Sequence, residues 1–223
     1  MSTPVTHPRL EARRSGAGGT WWSKAWGRAV EEAAYSAADL RAGRVLARRG
    51  AVGAITVEAG SALAAVAEGD DAHTVTCTVP VLVGSDLDTL VEIVAGGAGR
   101  IGALMAGDLP HAFVEAVEEA GVELLPYGGE LGAACTCDAW VDPCPHALAV
   151  LTQVGRLVQR DPFVLTGLRG MGRDEMLARL HAAAPADRQQ VDIDLDLAAD
   201  AAERAARVLE QLEDPDAREC RSW

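Results

Sequence analysis

Three cysteines and one histidine lie within twelve residues of this chain, in the pattern Cys-x-Cys-x6-Cys-x-His. They are Cys135, Cys137, Cys144 and His146. A Cys3His set is a common closed environment for zinc, in which four ligands surround the ion and leave no position for a substrate. Because side chains two residues apart in an extended segment point to the same side, Cys135 and Cys137 can reach one ion. The pattern therefore predicts one structural Zn²⁺ ion.

The second ligand pair is predicted to lie at the start of a helix. Pro145 disfavours a helical conformation for Cys144 and suits the first helical position itself, so Cys144 becomes the N-cap. The apolar spacing that follows predicts a helix from His146 to Arg160. We expect the free N–H groups at this helix end to lower the pKa of the Cys144 thiol.

Other interpretations of the cluster are weaker. A disulfide between cysteines two positions apart closes a strained loop and leaves Cys144 and His146 unexplained. A catalytic Cys–His pair normally comes from distant parts of a sequence. The Gly-x-Gly-x-x-Gly run at residues 97–102 follows a helical pattern rather than the strand that a dinucleotide site needs. With no nucleophile–base set and a closed zinc shell, we expect no enzyme and no small-molecule substrate.

The cluster resembles the SWIM zinc finger, with Cys135, Cys137, Cys144 and His146 at the ligand positions. Three flanking runs are similar to free-standing bacterial SWIM proteins, so that the resemblance covers roughly residues 20–180. These runs are Trp21-Trp22-Ser23-Lys24-Ala25-Trp26, Gly129-Glu130-Leu131-Gly132 and Asp161-Pro162-Phe163. The resemblance implies zinc binding and a role in DNA binding or protein–protein contact. In bacteria it also implies association with a Swi/Snf-type helicase.

The net charge of −13 is unevenly distributed along the chain. Residues 1–50 hold nine basic and four acidic side chains, whereas residues 51–146 hold one basic and fifteen acidic ones. Residues 147–180 are slightly basic and residues 181–223 are acidic. An acidic protein repels phosphate at long range, so a nucleic-acid contact would need the basic segments.

The sequence contains no pattern typical of a membrane span or a secretory signal, which bears on the cellular compartment. No apolar run approaches the ~20 residues that span a bilayer, and residues 1–19 contain no apolar core of a secretory signal. Clustered thiols without a disulfide framework are typical of a reducing compartment. We therefore expect a cytoplasmic protein with no membrane partner.

The predicted fold class is α+β, with four segments. Residues 1–19 are expected to be a disordered basic N-terminus, and residues 20–127 an α+β domain. Residues 128–184 are predicted to be the zinc finger with its following helices, and residues 185–223 an acidic strand and helix appendage. In the last segment, Val191–Leu197 alternates apolar residues with aspartates, which predicts a strand.

Within residues 20–127, Thr20 is predicted to cap a helix whose tryptophans are buried. An antiparallel meander and three helices follow, the helices beginning near Ser85, Gly99 and Pro110, and a short strand completes the segment. The meander strands are predicted at Arg44–Arg49, Ala54–Glu58, Ser61–Glu68 and Thr74–Leu82, and the short strand at Val122–Leu125. Cys77 is expected to be a small buried residue.

Two hypotheses of function remain. In the first, the protein is a non-enzymatic, zinc-stabilised interaction module that serves a nucleic-acid-processing machine, by resemblance a Swi/Snf-type helicase. In the second, the protein binds DNA or RNA directly, with the finger helix and the basic patches contacting phosphates. The candidate phosphate contacts are Arg156, Arg160, Arg169 and Arg173.

Overall fold

A five-stranded antiparallel sheet, with strands in the order β1-β2-β3-β4-β5, forms one layer of the fold. The strands are β1 (Val5–His7), β2 (Val52–Glu58), β3 (Ser61–Glu68), β4 (Asp71–Thr78) and β5 (Gly132–Cys135). Two-residue turns join β2 to β3 and β3 to β4, and Gly60 and Gly69 supply the positive φ angles of 79° and 62° that such turns need. Alternation in β3 buries Ala62, Ala64 and Val66.

The computed structural model describes residues 3–12, 18–97, 99–183 and 201–205. Residues 1–181 form one unit and residues 182–223 a second one. In the second unit, residues 201–205 are helical, whereas the predicted strand Val191–Leu197 lies outside the described residues. No helix in the described ranges combines the length and the apolar character needed to cross a membrane.

Eight α-helices occur among the described residues up to Ala183, besides a short 3-10 helix at Gly128–Glu130. They are α1 (Trp21–Ala33), α2 (Ala37–Arg48), α3 (Ser85–Gly96), α4 (Arg100–Met105), α5 (His111–Glu119), α6 (Pro145–Arg160), α7 (Pro162–Leu168) and α8 (Arg173–Ala183). The predicted α+β class is confirmed, as is the cap of α1, where Thr20 Oγ1 accepts from the N–H of Ser23 at 3.3 Å.

Helix α6 is the centre of the core. It packs against α1, α2 and the inner face of the sheet, and ten of its sixteen residues are buried. Two tryptophans of α1 donate hydrogen bonds to its backbone carbonyls, Trp22 to Val158 at 3.1 Å and Trp26 to Leu151 at 2.9 Å. Their predicted burial is therefore correct, and each indole N–H has the partner that burial requires.

Helix α2 crosses α6 at very short range. A Cβ atom on Gly43 would lie 2.7 Å from Cβ of Leu148 and 2.9 Å from the carbonyl oxygen of Pro145. Only glycine fits this crossing without moving the backbone of α6. The start of α6, where two of the predicted zinc ligands lie, is therefore fixed by α2.

Several sequence predictions were wrong. Arg44–Arg49 was expected to be a strand but belongs largely to α2, which Ser36 caps by accepting from the N–H of Asp39. The prediction that residues 1–19 are disordered was wrong for Val5–His7, which forms β1 and pairs with β2. The short strand was expected at Val122–Leu125 and instead forms at Gly132–Cys135, beside β4. These strands depend on pairing with distant residues, which local periodicity does not show.

The expected boundary between residues 127 and 128 does not divide the structure. Strand β5 belongs to the same sheet as β1–β4, and α6 fills the core beneath it. The zinc ligands consequently lie on elements of the main fold rather than on a separate module.

Candidate metal centre

The four predicted ligands come from consecutive parts of one corner of the fold. Cys135 ends β5, Cys137 lies in the turn that follows, Cys144 is the N-cap of α6, and His146 lies in its first turn. One ligand atom from each residue lies within 4.8 Å of the other three. Cys137 Sγ lies 3.6 Å from Cys144 Sγ, and Cys135 Sγ lies 3.9 Å from His146 Nδ1.

These distances fit a zinc ion. With Zn–S bonds of about 2.3 Å, two sulfurs at tetrahedral positions lie roughly 3.8 Å apart. The sulfur–sulfur separation of 3.6 Å is close to that value. With a Zn–N bond of about 2.0–2.1 Å, a tetrahedral sulfur–nitrogen pair lies roughly 3.6 Å apart, and the separation here is 3.9 Å. The donor set of three thiols and one imidazole also matches structural zinc sites. The four residues therefore fit the structural Zn²⁺ ion predicted from the sequence.

Regular backbone structure positions both ligand pairs. Cys135 is paired with Val75 of β4, and the ladder continues past it, since Thr136 N–H donates to the Thr74 carbonyl at 3.1 Å. Thr74 N–H in turn donates to Thr136 Oγ1 at 3.0 Å. At the second pair, Pro145 occupies the first turn of α6 as expected, with Cys144 in an extended conformation as its cap. The sheet and the central helix thus hold the four ligand side chains close to one another.

The three thiols differ in acidity before a metal binds. Burial raises the pKa of Cys135 to about 12 and also raises the pKa of Cys144. Burial acts in the same direction on Cys137, but hydrogen bonds from the Ala139 backbone and from the neighbouring ligands outweigh it and lower the pKa to about 7. The expectation that the helix end lowers the pKa of Cys144 was wrong, because burial outweighs the hydrogen bond from the Ala147 backbone.

Sequence reasoning missed two residues that contact His146. Glu68, at the end of β3, has Oε2 2.9 Å from His146 Nε2. The ring of His73, on β4, lies 4.3 Å from the His146 ring at an angle of 33°. Both residues are more than seventy positions before His146 in the chain, and no local pattern connects them with it.

The four predicted nucleic-acid contacts are not equivalent. Arg169 is only 3% exposed and donates to the backbone carbonyls of Pro80 and Glu123, both at 2.6 Å, so it holds the core and does not face phosphates. Arg156 is half-buried and donates to the Gln153 side chain and the Glu11 carbonyl. Arg160 and Arg173 are exposed.

Arg173 is exposed but already has protein partners. Its guanidinium lies 4.6 Å from the centre of the Phe163 ring and 3.8 Å from Asp161 Oδ2. It also lines a cavity of about 560 Å³ between the β1–β2 edge and helices α7 and α8. Of the four candidates, only Arg160 and Arg173 are exposed enough to contact a phosphate, and Arg173 also has these protein contacts.

Comparison with known proteins bears on the metal centre. Residues 118–155, which include all four ligands, match the family model of the SWIM zinc finger. This segment is a SWIM zinc finger. The resemblance inferred from the sequence is therefore confirmed, and the SWIM finger is built into the sheet and the central helix of the larger fold.

A bacterial relative extends the likeness beyond the SWIM finger. The chain is 29% identical over 221 residues to the uncharacterized protein Rv2102 of Mycobacterium tuberculosis, a match that covers 95% of this chain and 76% of the relative. No solved structure matches the chain.

Proposed function

We propose that the protein is a non-enzymatic interaction module whose SWIM finger presents an aromatic contact surface to a protein partner. One observation carries this proposal. Trp140, in the loop between the two ligand pairs, is 81% exposed, and its ring contacts the ring of Tyr35, which is 67% exposed. The two ring centres are 5.0 Å apart in an edge-to-face arrangement.

An exposed tryptophan is unusual, because tryptophan side chains are mostly buried in folded proteins. Trp22, Trp26 and Phe113 are each at most 5% exposed. Tryptophan and tyrosine are enriched among the residues that dominate binding energy in protein interfaces. Because Trp140 lies between Cys137 and Cys144, zinc binding would fix the loop that carries it. The metal then has a structural role, to hold the contact surface in place.

The charge near this surface favours a protein partner over nucleic acid. Asp138 and Asp142, on either side of Trp140, are both exposed. They belong to the region of residues 51–146 that holds fifteen acidic side chains and one basic one. Phosphate is repelled from such a region, whereas a partner with a basic surface is attracted to it.

The family resemblance suggests which partner to test. In bacteria it implies a Swi/Snf-type helicase, and the proposal assigns the protein to that machine as a non-enzymatic subunit. A closed shell of four protein ligands leaves no position for a reacting water, which supports the non-enzymatic role. Thiolate ligands need reducing conditions, which supports a cytoplasmic location.

The proposal is tested with the purified zinc-loaded protein and a purified bacterial Swi/Snf-type helicase. We expect binding measured by calorimetry, and at least a tenfold loss of affinity for Trp140→Ala, as for a residue central to an interface. Met105→Ala is the matched control, since Met105 is a 47% exposed apolar residue on α4. Equal affinities of the Trp140 and Met105 variants, with zinc content unchanged in both, would contradict the proposed surface.

Direct binding of DNA or RNA is the second candidate, and the exposure of Arg160 and Arg173 favours it. Fluorescence anisotropy with single- and double-stranded oligonucleotides at roughly 50 and 200 mM salt tests it, because phosphate contacts weaken steeply over that range. Tight, salt-sensitive binding that Arg160→Ala reduces would support this candidate. Absence of binding at the lower salt concentration would leave the interaction module.

A further inference from the structure

We propose that Glu68 is a positioning residue for the zinc centre. Its carboxylate accepts a hydrogen bond from Nε2 of His146 and thereby fixes the ring tautomer in which Nδ1 binds the metal. The inference concerns the affinity and geometry of the metal centre and does not depend on the identity of the partner.

The two nitrogens of His146 face different neighbours. Nδ1 lies 3.9 Å from Cys135 Sγ, on the side where the other ligands converge. Nε2 lies 2.9 Å from Glu68 Oε2, a normal hydrogen-bond distance for an imidazole N–H and a carboxylate. A neutral imidazole carries a proton on only one nitrogen. If Nε2 donates to Glu68, Nδ1 keeps its lone pair, which is the form that a metal needs.

The fold fixes the position of both partners. Glu68 is the last residue of β3 and pairs with Asp71 across the turn to β4. On β4, His73 packs its ring 4.3 Å from that of His146, so a second ring restricts the orientation of the imidazole. The His146 side chain is 8% exposed, whereas that of Glu68 is 54% exposed. The buried imidazole thus has its outer nitrogen satisfied by a carboxylate that reaches in from the surface.

This arrangement matters more to the metal than to the stability of the fold. The Glu68 carboxylate is half-exposed, so solvent screens its interaction with His146, and the contact contributes little to the stability of the fold. A carboxylate that accepts from a ligating histidine, however, orients the ring and raises its basicity, and losing such a partner typically weakens metal binding by about 10–100-fold. Because Glu68 is half-exposed, we expect an effect near the lower end of that range.

The affinity experiment uses the full chain and zinc alone. Zinc dissociation constants are measured by competition with a chromophoric chelator for the wild-type protein and for Glu68→Ala, Glu68→Gln and Asp71→Asn. Asp71→Asn is the matched control, because it removes one negative charge at the residue that pairs with Glu68 across the turn. We expect about a tenfold weaker affinity for Glu68→Ala and a smaller loss for Glu68→Gln, whose amide oxygen still accepts the hydrogen bond.

Equal effects of Glu68→Ala and Asp71→Asn would overturn the inference, since a general loss of negative charge would then explain the result. A second measurement needs no variant. In the wild-type zinc form labelled with nitrogen-15, long-range proton–nitrogen correlations of His146 should show a protonated Nε2 and a metal-bound Nδ1. Zinc on Nε2 would refute the proposed role of Glu68 whatever the affinities are.

Discussion

Replacing Arg169 by methionine should destabilise the protein strongly. Arg169 connects three segments, because its guanidinium donates to the carbonyls of Pro80 and Glu123 while its own carbonyl accepts from the N–H of Leu82 at 2.7 Å. Methionine keeps the apolar stem but provides no donor. The carbonyls of Pro80 and Glu123 would then lose their charged hydrogen-bond partner.

The expected loss can be estimated from these two contacts. A hydrogen bond to a charged group contributes roughly 1.5–3 kcal/mol, so two contribute about 3–6 kcal/mol. Part of this is offset, because burying the guanidinium is itself unfavourable, as the lowered pKa of Arg169 indicates. A net loss of about 3 kcal/mol corresponds to a fall in melting temperature of roughly 6–12 °C for a chain of this size.

The assay is urea unfolding of the zinc-loaded protein, followed by circular dichroism. Arg160→Met is the matched control: Arg160 is an exposed arginine in the last turn of α6, where its charge contributes at most about 1 kcal/mol. If the free energy of unfolding of Arg169→Met lies within about 0.5 kcal/mol of the wild-type value, as for an ordinary surface change, the structural role is refuted. A stably folded Arg169→Met protein with weakened oligonucleotide binding would instead support the sequence prediction that Arg169 contacts phosphate.

Three further predictions concern the metal centre and the core. Cys144→Ser should abolish stoichiometric zinc binding and lower the melting temperature, because metal binding and folding of such a site are coupled. Atomic absorption measures the zinc content, and unchanged zinc content and melting temperature would show that Cys144 is not a ligand. Gly43→Ala should cost about 1–3 kcal/mol in urea unfolding through its clash with α6, whereas Gly27→Ala, with nothing within 4 Å, should be neutral or stabilising. Zinc affinity should fall as the pH is lowered, and the fall should be steeper below a pH of about 7, because Cys137 must then also lose a proton to bind the metal. Chelator competition across the pH range measures this dependence, and an affinity that does not change with pH would contradict the prediction.

The metal centre could be predicted because its information is local. Cys135 to His146 span one short segment, and the prolines around Cys144 specify the start of α6 without reference to the rest of the chain. The burial of Trp22 and Trp26 was also predictable, since both lie on one face of a capped amphipathic helix. Such features depend on neighbours within a few residues, which a single sequence displays directly.

The features that the sequence did not reveal depend on contacts between residues far apart in the chain. Strand β1 exists because it pairs with β2, some fifty residues later. Glu68 reaches His146 only after β3, β4 and β5 have aligned. Arg169 has the same charge as Arg160, and only the packed fold shows that the first is enclosed and the second is not. The predicted phosphate contacts failed at Arg169 because composition reports charge but not exposure.

Strand β5 has a consequence for the behaviour of the protein without its metal. Four residues long, it covers the outer edge of β4, and beyond Cys135 its continuation is held by the zinc ligands. Releasing zinc by oxidation or chelation would loosen this cover and expose the outward-facing N–H and C=O groups of Val75–Thr78, whose other edge stays paired with β3. An uncovered edge of this kind, rich in threonine and containing Val75 and Cys77, is a template for strand pairing between molecules. Loss of the metal should therefore be visible first as self-association, with light scattering rising before the helical signal falls.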